Sequence, residues 1–331
     1  MRIADCGIGR RVRQVRTGWW FVVVGAISLS GFAEAAPGAP AAAPIAVTDD
    51  AGRTVRFARP PARVISLAPS HTEVMYALGA EDRLAAVNEW SDYPPAARTK
   101  PQVRGVRPSL EQIVALRPDL ILLVGGMGDL LAQFEANGMP ALVLAPRNLE
   151  DTYRDIELLG VVVGASDRAR AVTKAMRDRV AAVRDRVAGT RRPRVFYEVD
   201  GTDSVRPFTV GPASFIHELL ELAGGQNVAG AAKGVWPQLS LEQLLKADPE
   251  IIILGDAVAV NNPQTPEMVM RRPGWDRVTA VRRRSIRVVD GNLVSRPGPR
   301  IVEGLEALAR LIHPDRFPAT TFPSPPRGHM R

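Results

Sequence analysis

Two glutamates, Glu111 and Glu242, occupy the same place in a motif that occurs twice. Residues 109–123 read SLEQIVALRPDLILL and residues 240–254 read SLEQLLKADPEIIIL, an offset of 131 positions. In both copies a serine suits the N-cap of a helix, where its hydroxyl accepts from a free backbone amide. Gln112 and Gln243 stand three residues on and complete a capping box. The glutamates are then spare, and each is expected to point to solvent from the first helical turn. Two chemistries fit them. A carboxylate there compensates the helix dipole. A matched pair, one per copy, also makes two acidic docking points.

Aromatic residues make up only 5% of the chain, so their places are informative. Trp90, Tyr93, Phe208 and Trp236 all fall in loops beside expected strands or helix starts, two in each half. Four rings at equivalent edges point to a flat apolar ligand held between two lobes, in a pocket that is mostly apolar with few polar groups. Arg296 and Arg300 can meet amide or acidic edges of that ligand, or pair within the fold. His71 and His217 begin corresponding helices, with Glu73 and Glu218 nearby. Brought to one cleft they suit a metal ion. The plainer alternative is a surface histidine at each helix start, since no HxxxH or HExxH spacing accompanies them.

Other chemistries lack their residues. There is no GxSxG, and the only cysteine, Cys6, precedes the N-terminal apolar run. A nucleophilic hydrolase is therefore poorly supported. A GxGxxG fingerprint starting at Gly126 would need glycine where Leu131 stands. The tight cluster Arg282-Arg283-Arg284 has no zinc-finger or RNA-binding signature beside it and reads as a solvated turn.

The elements that must position these residues follow from the repeat. Its period is too long for a solenoid unit and fits half of a domain pair. A weaker echo, SHTEVMYALGA from Ser70 against SFIHELLELAGG from Ser214, supports the doubling. Residues 45–57 alternate as a small hairpin around an Asp-Ala-Gly turn. Core strands are expected at 63–67, 84–88, 120–124, 141–145, 194–199, 251–254 and 285–289. Ser70 or Thr72 is the expected cap of the first helix. Between the halves, Val172, Met176, Val180, Val183 and Val187 recur at helical steps in a helix of about 22 residues, about 33 Å long. It works as a rigid strut, and no Gly/Ser linker suggests a wide hinge. The loop after residue 88 carries Trp90 and Tyr93 at the C-terminal end of a strand, where open α/β sheets bind ligands.

The N-terminus reads as a secretory signal peptide over residues 1–35. It has a basic start at Arg10, Arg11, Arg13 and Arg16, an apolar run, and a small-residue cleavage site at Ala33-Glu34-Ala35. An uncleaved membrane anchor is the competing reading. Cleavage lowers the formal charge from +8 to +5, by removing five arginines and two acidic residues. The rest divides into an Ala/Pro tether at 36–44, an N-terminal α/β lobe at 45–148, linking helices at 149–190, a C-terminal α/β lobe at 191–313 and a loose tail at 314–331.

Several segments together, SLAPSHTEVMYALGAEDRLAAVNEWSDYPPAA, SLEQIVALRPDLILL, FTVG and GVWPQLSLEQLLKADPEIIIL, resemble the periplasmic cobalamin-binding proteins of ABC importers. The similarity runs from about residue 63 to 312. It implies two Rossmann-like α/β lobes joined by a long rigid helix, a cleft between them for the ligand, no enzymatic activity, and a periplasmic location. It implies that Glu111 and Glu242 dock on arginines of a dimeric permease that works with a cytoplasmic ATPase. Trp90 falls where the family has an aromatic contact to the corrin. Phe208, Trp236 and Arg296 match further ligand contacts. Asn292 stands where a cobalamin binder carries an acidic contact, and Arg104-Gly105-Val106-Arg107 stands where some members carry another aromatic. The wider class also holds haem- and ferric-siderophore-binding proteins. For haem, Tyr93 is the candidate iron ligand and His71 a second. The expected protein is a monomer that binds a tetrapyrrole-like small molecule and no nucleic acid.

Overall fold

Short runs of branched apolar residues alternate with helices along the chain, the pattern that builds parallel sheets covered by helices. The computed structural model describes residues 44–257 and 262–317, so the expected leader and almost all of the tether lie outside the described residues. A hairpin, β1 (Ile45–Thr48) and β2 (Thr54–Phe57), comes first. The N-terminal lobe then follows as β3 (Val64–Ser66), α1 (Pro69–Ala77), β4 (Leu84–Asn88), β5 (Gln102–Val103), α2 (Leu110–Ala115), β6 (Leu120–Leu123), α3 (Gly128–Ala136) and β7 (Ala141–Val143). Two helices, α4 (Leu149–Val163) and α5 (Ser166–Val187), lead to the second lobe. That lobe runs β8 (Arg194–Asp200), β9 (Phe208–Thr209), α6 (Phe215–Leu222), β10 (Gln226–Asn227), α7 (Leu241–Ala247), β11 (Ile251–Leu254), α8 (Pro266–Met270), α9 (Thr279–Arg282), β12 (Ile286–Val288), α10 (Gly291–Ser295) and α11 (Ile301–Ile312).

The first sheet has the order β5-β4-β3-β6-β7 and is parallel throughout, with Ile65 opposite Ile121. The second has β10-β8-β11-β12 in parallel, and β9 joins β8 antiparallel. The duplicated motif therefore places α2 with β6 and α7 with β11, one set in each sheet. The α/β architecture of two lobes matches the expectation. Among the described residues no helix is long and apolar enough to cross a membrane.

Two helix starts differ from the sequence reading. The first helix begins one residue before Ser70, with Pro69 in its first turn and Ala68 at the cap. Proline suits that place because its missing N–H would be unpaired there anyway. Ser70 and Thr72 lie inside the helix, and Thr72 turns its hydroxyl to Ser66 instead. The strut α5 spans the expected 22 residues, but Ala165 rather than Ser166 occupies its cap.

One apolar cluster joins the inner faces of both sheets. It includes Leu122 and Leu142 from the first, Val195 and Ile253 from the second, and Met176 and Val183 from α5. The outer face of each sheet has its own cluster, around Ile121 and Phe134 in one lobe and around Phe196 and Trp275 in the other.

The lobes also meet through buried charge. Glu73 on α1 is 3% exposed, and Arg300, at the start of α11, holds both of its oxygens at 2.9 and 2.7 Å. Arg296 reaches Glu73 at 3.6 Å and Asp92 at 2.5 Å. Both arginines follow the second sheet, and both carboxylates belong to the first lobe. Removing one member of such a pair strands the others without their charge partner. Glu73→Gln is expected to lower stability by about 3 kcal/mol in urea unfolding, the low end for breaking a buried pair.

A second charged cluster lies beneath the hairpin. Arg154 bonds Asp50 at 2.6 Å and Asp151 at 2.9 Å, and it reaches Asp155 only at 3.4 Å. Asp155 is buried, its Oδ2 has no partner, and Asp50 adds a like charge. Burial first and Asp50 second push its pKa up to about 8. A carboxyl with a raised folded pKa holds its proton where the unfolded chain has lost it. Its contribution to stability is present at low pH and is lost as pH rises through about 8. Asp155→Asn is expected to match the parent's melting temperature near pH 4, and to melt higher than the parent at pH 8, in thermal scans across that range.

Candidate ligand cleft between the lobes

Trp90 and Trp236 come from different lobes and line the same cavity, of about 680 Å³. Each keeps close to half of its surface exposed, 44% and 45%. Asn292 and Arg296 line the same space. Large half-exposed indoles are costly to leave in water, and one from each lobe offers apolar ring surface to a ligand in the cavity.

The two tryptophans are held by different means. Trp90 lies between Asn88 and Ser91, and both of these are buried. The Ser91 hydroxyl donates to Asn88 Oδ1 at 2.6 Å and lies 2.8 Å from the Thr72 hydroxyl, which in turn donates to Ser66 Oγ at 2.8 Å. This buried polar chain ties the loop after β4 to α1 and β3. Trp236 is held through backbone. Gly211 N–H donates to the Val235 carbonyl and Thr209 N–H to the Pro237 carbonyl, both at 2.9 Å. Any Cβ at position 211 would lie 2.1 Å from the Gly234 carbonyl oxygen, so only glycine permits this approach.

Tyr93 and Phe208 are not among the residues that line the cavity. The Tyr93 ring lies under Arg300, whose guanidinium carbon is 3.6 Å from the ring centroid. That contact is a cation–π platform beneath the arginine that grips Glu73. Phe208 contributes its backbone, bridging to Gln238 beside the Trp236 loop, while its ring stays 38% exposed. Arg296 lines the cavity, but its charge is engaged: it donates to Asp92 Oδ1 at 2.5 Å and to Asn292 Oδ1 at 2.9 Å. Arg300 pairs within the fold.

The structure does not bring the two histidines together at the cleft. His71 is buried in the first lobe, and burial holds its pKa at about 4. His217 lies 3.1 Å through Nδ1 from the Asn227 amide and opens on a different depression. Among the described residues no group of three or more His, Cys, Asp or Glu side chains is placed to hold a metal ion.

The cavity has carboxylates that the sequence reading did not single out. Glu89, Asp92 and Asp256 all line it. Asp256 is 6% exposed, and its Oδ2 accepts from Gly201 N–H at 2.9 Å. Burial, then the neighbouring Glu198 carboxylate, raises its pKa to about 6. Position after strands β4 and β11, on the C-terminal rim of each sheet, was the only signal available for these residues.

Glu111 and Glu242 stand in the first turns of α2 and α7, and both are exposed. Ser240 and Gln243 form the full reciprocal capping box. In the first copy only the Ser109 half is present, with Gln112 N–H to Ser109 Oγ at 3.4 Å. The first backbone bond of that helix is also long, Ile113 N–H to the Ser109 carbonyl at 3.4 Å, against 2.9 Å for Leu244 to Ser240. The looser turn leaves Gln112 without the return bond.

The chain matches the family model described as periplasmic binding protein over residues 64–293. An uncharacterized ABC transporter substrate-binding lipoprotein of Bacillus subtilis is 29% identical over 282 residues, 83% of this chain and 87% of that protein. A cobalamin-binding protein of Halobacterium salinarum is 30% identical over 280 residues, 82% of this chain and 74% of its own length. Among solved structures, the periplasmic vitamin B12 binding protein BtuF of Vibrio cholerae superposes with a TM-score of 0.66 at 27% identity, covering 78% of this chain and 99% of that one. The apo periplasmic heme-binding protein RhuT of Roseiflexus sp. RS-1 gives 0.69 at 25% identity, with 77% and 98% covered. The cleft between two doubled lobes and the matched segment that spans both sheets agree: the chain belongs to the periplasmic binding protein family, as a substrate-binding protein of the ABC-transporter kind.

Proposed function

We propose that this protein is exported to the periplasm, captures cobalamin or a related corrinoid between its lobes, and delivers it to a dimeric inner-membrane permease. The observation that carries the reading is the pair of half-exposed tryptophans, one from each lobe, that line one cavity. A broad macrocycle with an amide-bearing rim suits a cavity lined by indoles together with a few polar residues. The named cobalamin-binding relative supports the same ligand.

Glu111 and Glu242 serve as the docking points. Each is exposed, sits at the start of an equivalent helix, and enters no ion pair among the described residues. Their carboxylates remain available to arginines on a partner.

Purified protein mixed separately with cobalamin, haemin and a ferric siderophore is expected to retain the cobalamin spectrum after gel filtration. Retention of haemin and not of cobalamin would replace this reading with the haem one. Trp90→Ala and Trp236→Ala should each weaken cobalamin binding about tenfold or more in a titration of tryptophan fluorescence, as expected for aromatic anchors. Glu111→Ala combined with Glu242→Ala should leave that affinity unchanged and abolish transporter-dependent uptake. A loss of affinity in the double variant would count against docking.

A further inference from the structure

The charges of the cleft are unevenly matched. Both guanidinium groups in its lining face Asp92, Arg296 at 2.5 Å and Arg98 at 3.9 Å. The arginines behind the walls are engaged as well. Arg272 donates to both oxygens of buried Glu198, at 2.5 and 2.8 Å, and Arg300 to both of Glu73. Among the described residues, each of these arginines has a carboxylate within 3.9 Å, Arg98 most loosely.

The carboxylates are in surplus. Glu89 lines the cavity next to Trp90, is half-buried, and enters no ion pair among the described residues. Its Oε1 accepts from Gly105 N–H at 2.7 Å, which fixes the side chain and leaves Oε2 outside any hydrogen bond among the described residues. From the other lobe, Asp256 lines the same cavity with an Oδ1 that has no hydrogen-bond partner. An unpaired carboxylate in a partly closed site accepts from an N–H donor and repels a second carboxylate, and both effects are stronger than in open water.

Resting on the corrinoid reading above, we propose that Glu89 sets which rim groups the cleft accepts. Its free oxygen takes a hydrogen bond from a primary amide of the ligand, and its charge, with that of Asp256 on the other lobe, turns away ligands that carry a carboxylate at that position. The site selects macrocycles with neutral amide edges over those with acidic edges. A site built around an unpaired carboxylate in a partly closed cavity discriminates against a ligand that cannot donate to it.

The test uses a matched ligand series: cobalamin and the monocarboxylates made by hydrolysing its propionamides one at a time. The proteins are the parent and Glu89→Gln, which keeps the shape and an acceptor for Gly105 N–H. The parent should bind at least one monocarboxylate tenfold or more weakly than cobalamin. Glu89→Gln should close that gap to less than threefold, with its far-ultraviolet dichroism and melting temperature unchanged. A parallel Glu111→Gln variant, which removes one carboxylate outside the cavity lining, should keep the parent's gap; closure of the gap there as well would mark a general charge effect and overturn the role of Glu89. Equal binding of cobalamin and all monocarboxylates by the parent would overturn this inference and leave the corrinoid reading standing. An undiminished gap in Glu89→Gln would do the same. Retention of haemin, with its two carboxylates, in place of cobalamin would overturn both.

Discussion

Glu73 is the constraint on which the arrangement of the cleft depends. A carboxylate at 3% exposure is costly to bury without cations close by, and the two arginines that pair with it come from the other lobe. Arg300 and Arg296 come from the far end of the other lobe. Satisfying Glu73 therefore sets where the segment between α10 and α11 must lie. Once there, Arg296 also holds Asp92 and Asn292, and Arg300 rests on the Tyr93 ring. The polar floor between the two tryptophans is a by-product of pairing one buried acid. Gly298, in the same segment, comes close to the backbone of Ser70; a Cβ there would meet Ser70 O at 3.3 Å.

Positions in the cleft are rigid for a reason that favours binding. Trp90 is fixed by a buried chain of hydroxyl and amide groups, and Trp236 by backbone bonds to an edge strand. The backbone that carries each ring is already held when a ligand arrives, so less entropy is lost on capture than if the loops had to be ordered. The long strut α5 and the absence of a flexible linker act in the same direction.

Much of this was legible in the sequence, and the parts that were not share a cause. The internal repeat located both sheets and both exposed glutamates. The strand Leu84–Asn88 and the last helix, Ile301–Ile312, fall where periodicity and end signals place them. Trp90 and Trp236 were found from rarity and loop position, and they line one cavity. What escaped were roles set by distant partners. Tyr93 carries Arg300 on its ring, a contact no local pattern announces. His71 looks exposed at a helix start until the helix proves to begin earlier and to be covered by the first sheet's core. Phe208 also bridges through its backbone to Gln238, far along the chain. Glu89 carried no local motif at all, and its lack of a counter-ion is a property only of the folded neighbourhood.

The merged interior has a consequence for how the two lobes relate. The inner sides of both sheets, together with α4, α5, α6 and α11, share one apolar cluster. The described residues accordingly form one compact unit rather than two. Each half of the ancestral doubling has given up its autonomy. Cut apart, either would leave a broad oily face bare to water, with only its outer-side cluster to hold it together. The gap between them is thus a groove on one continuously packed body rather than a mouth between two independent jaws.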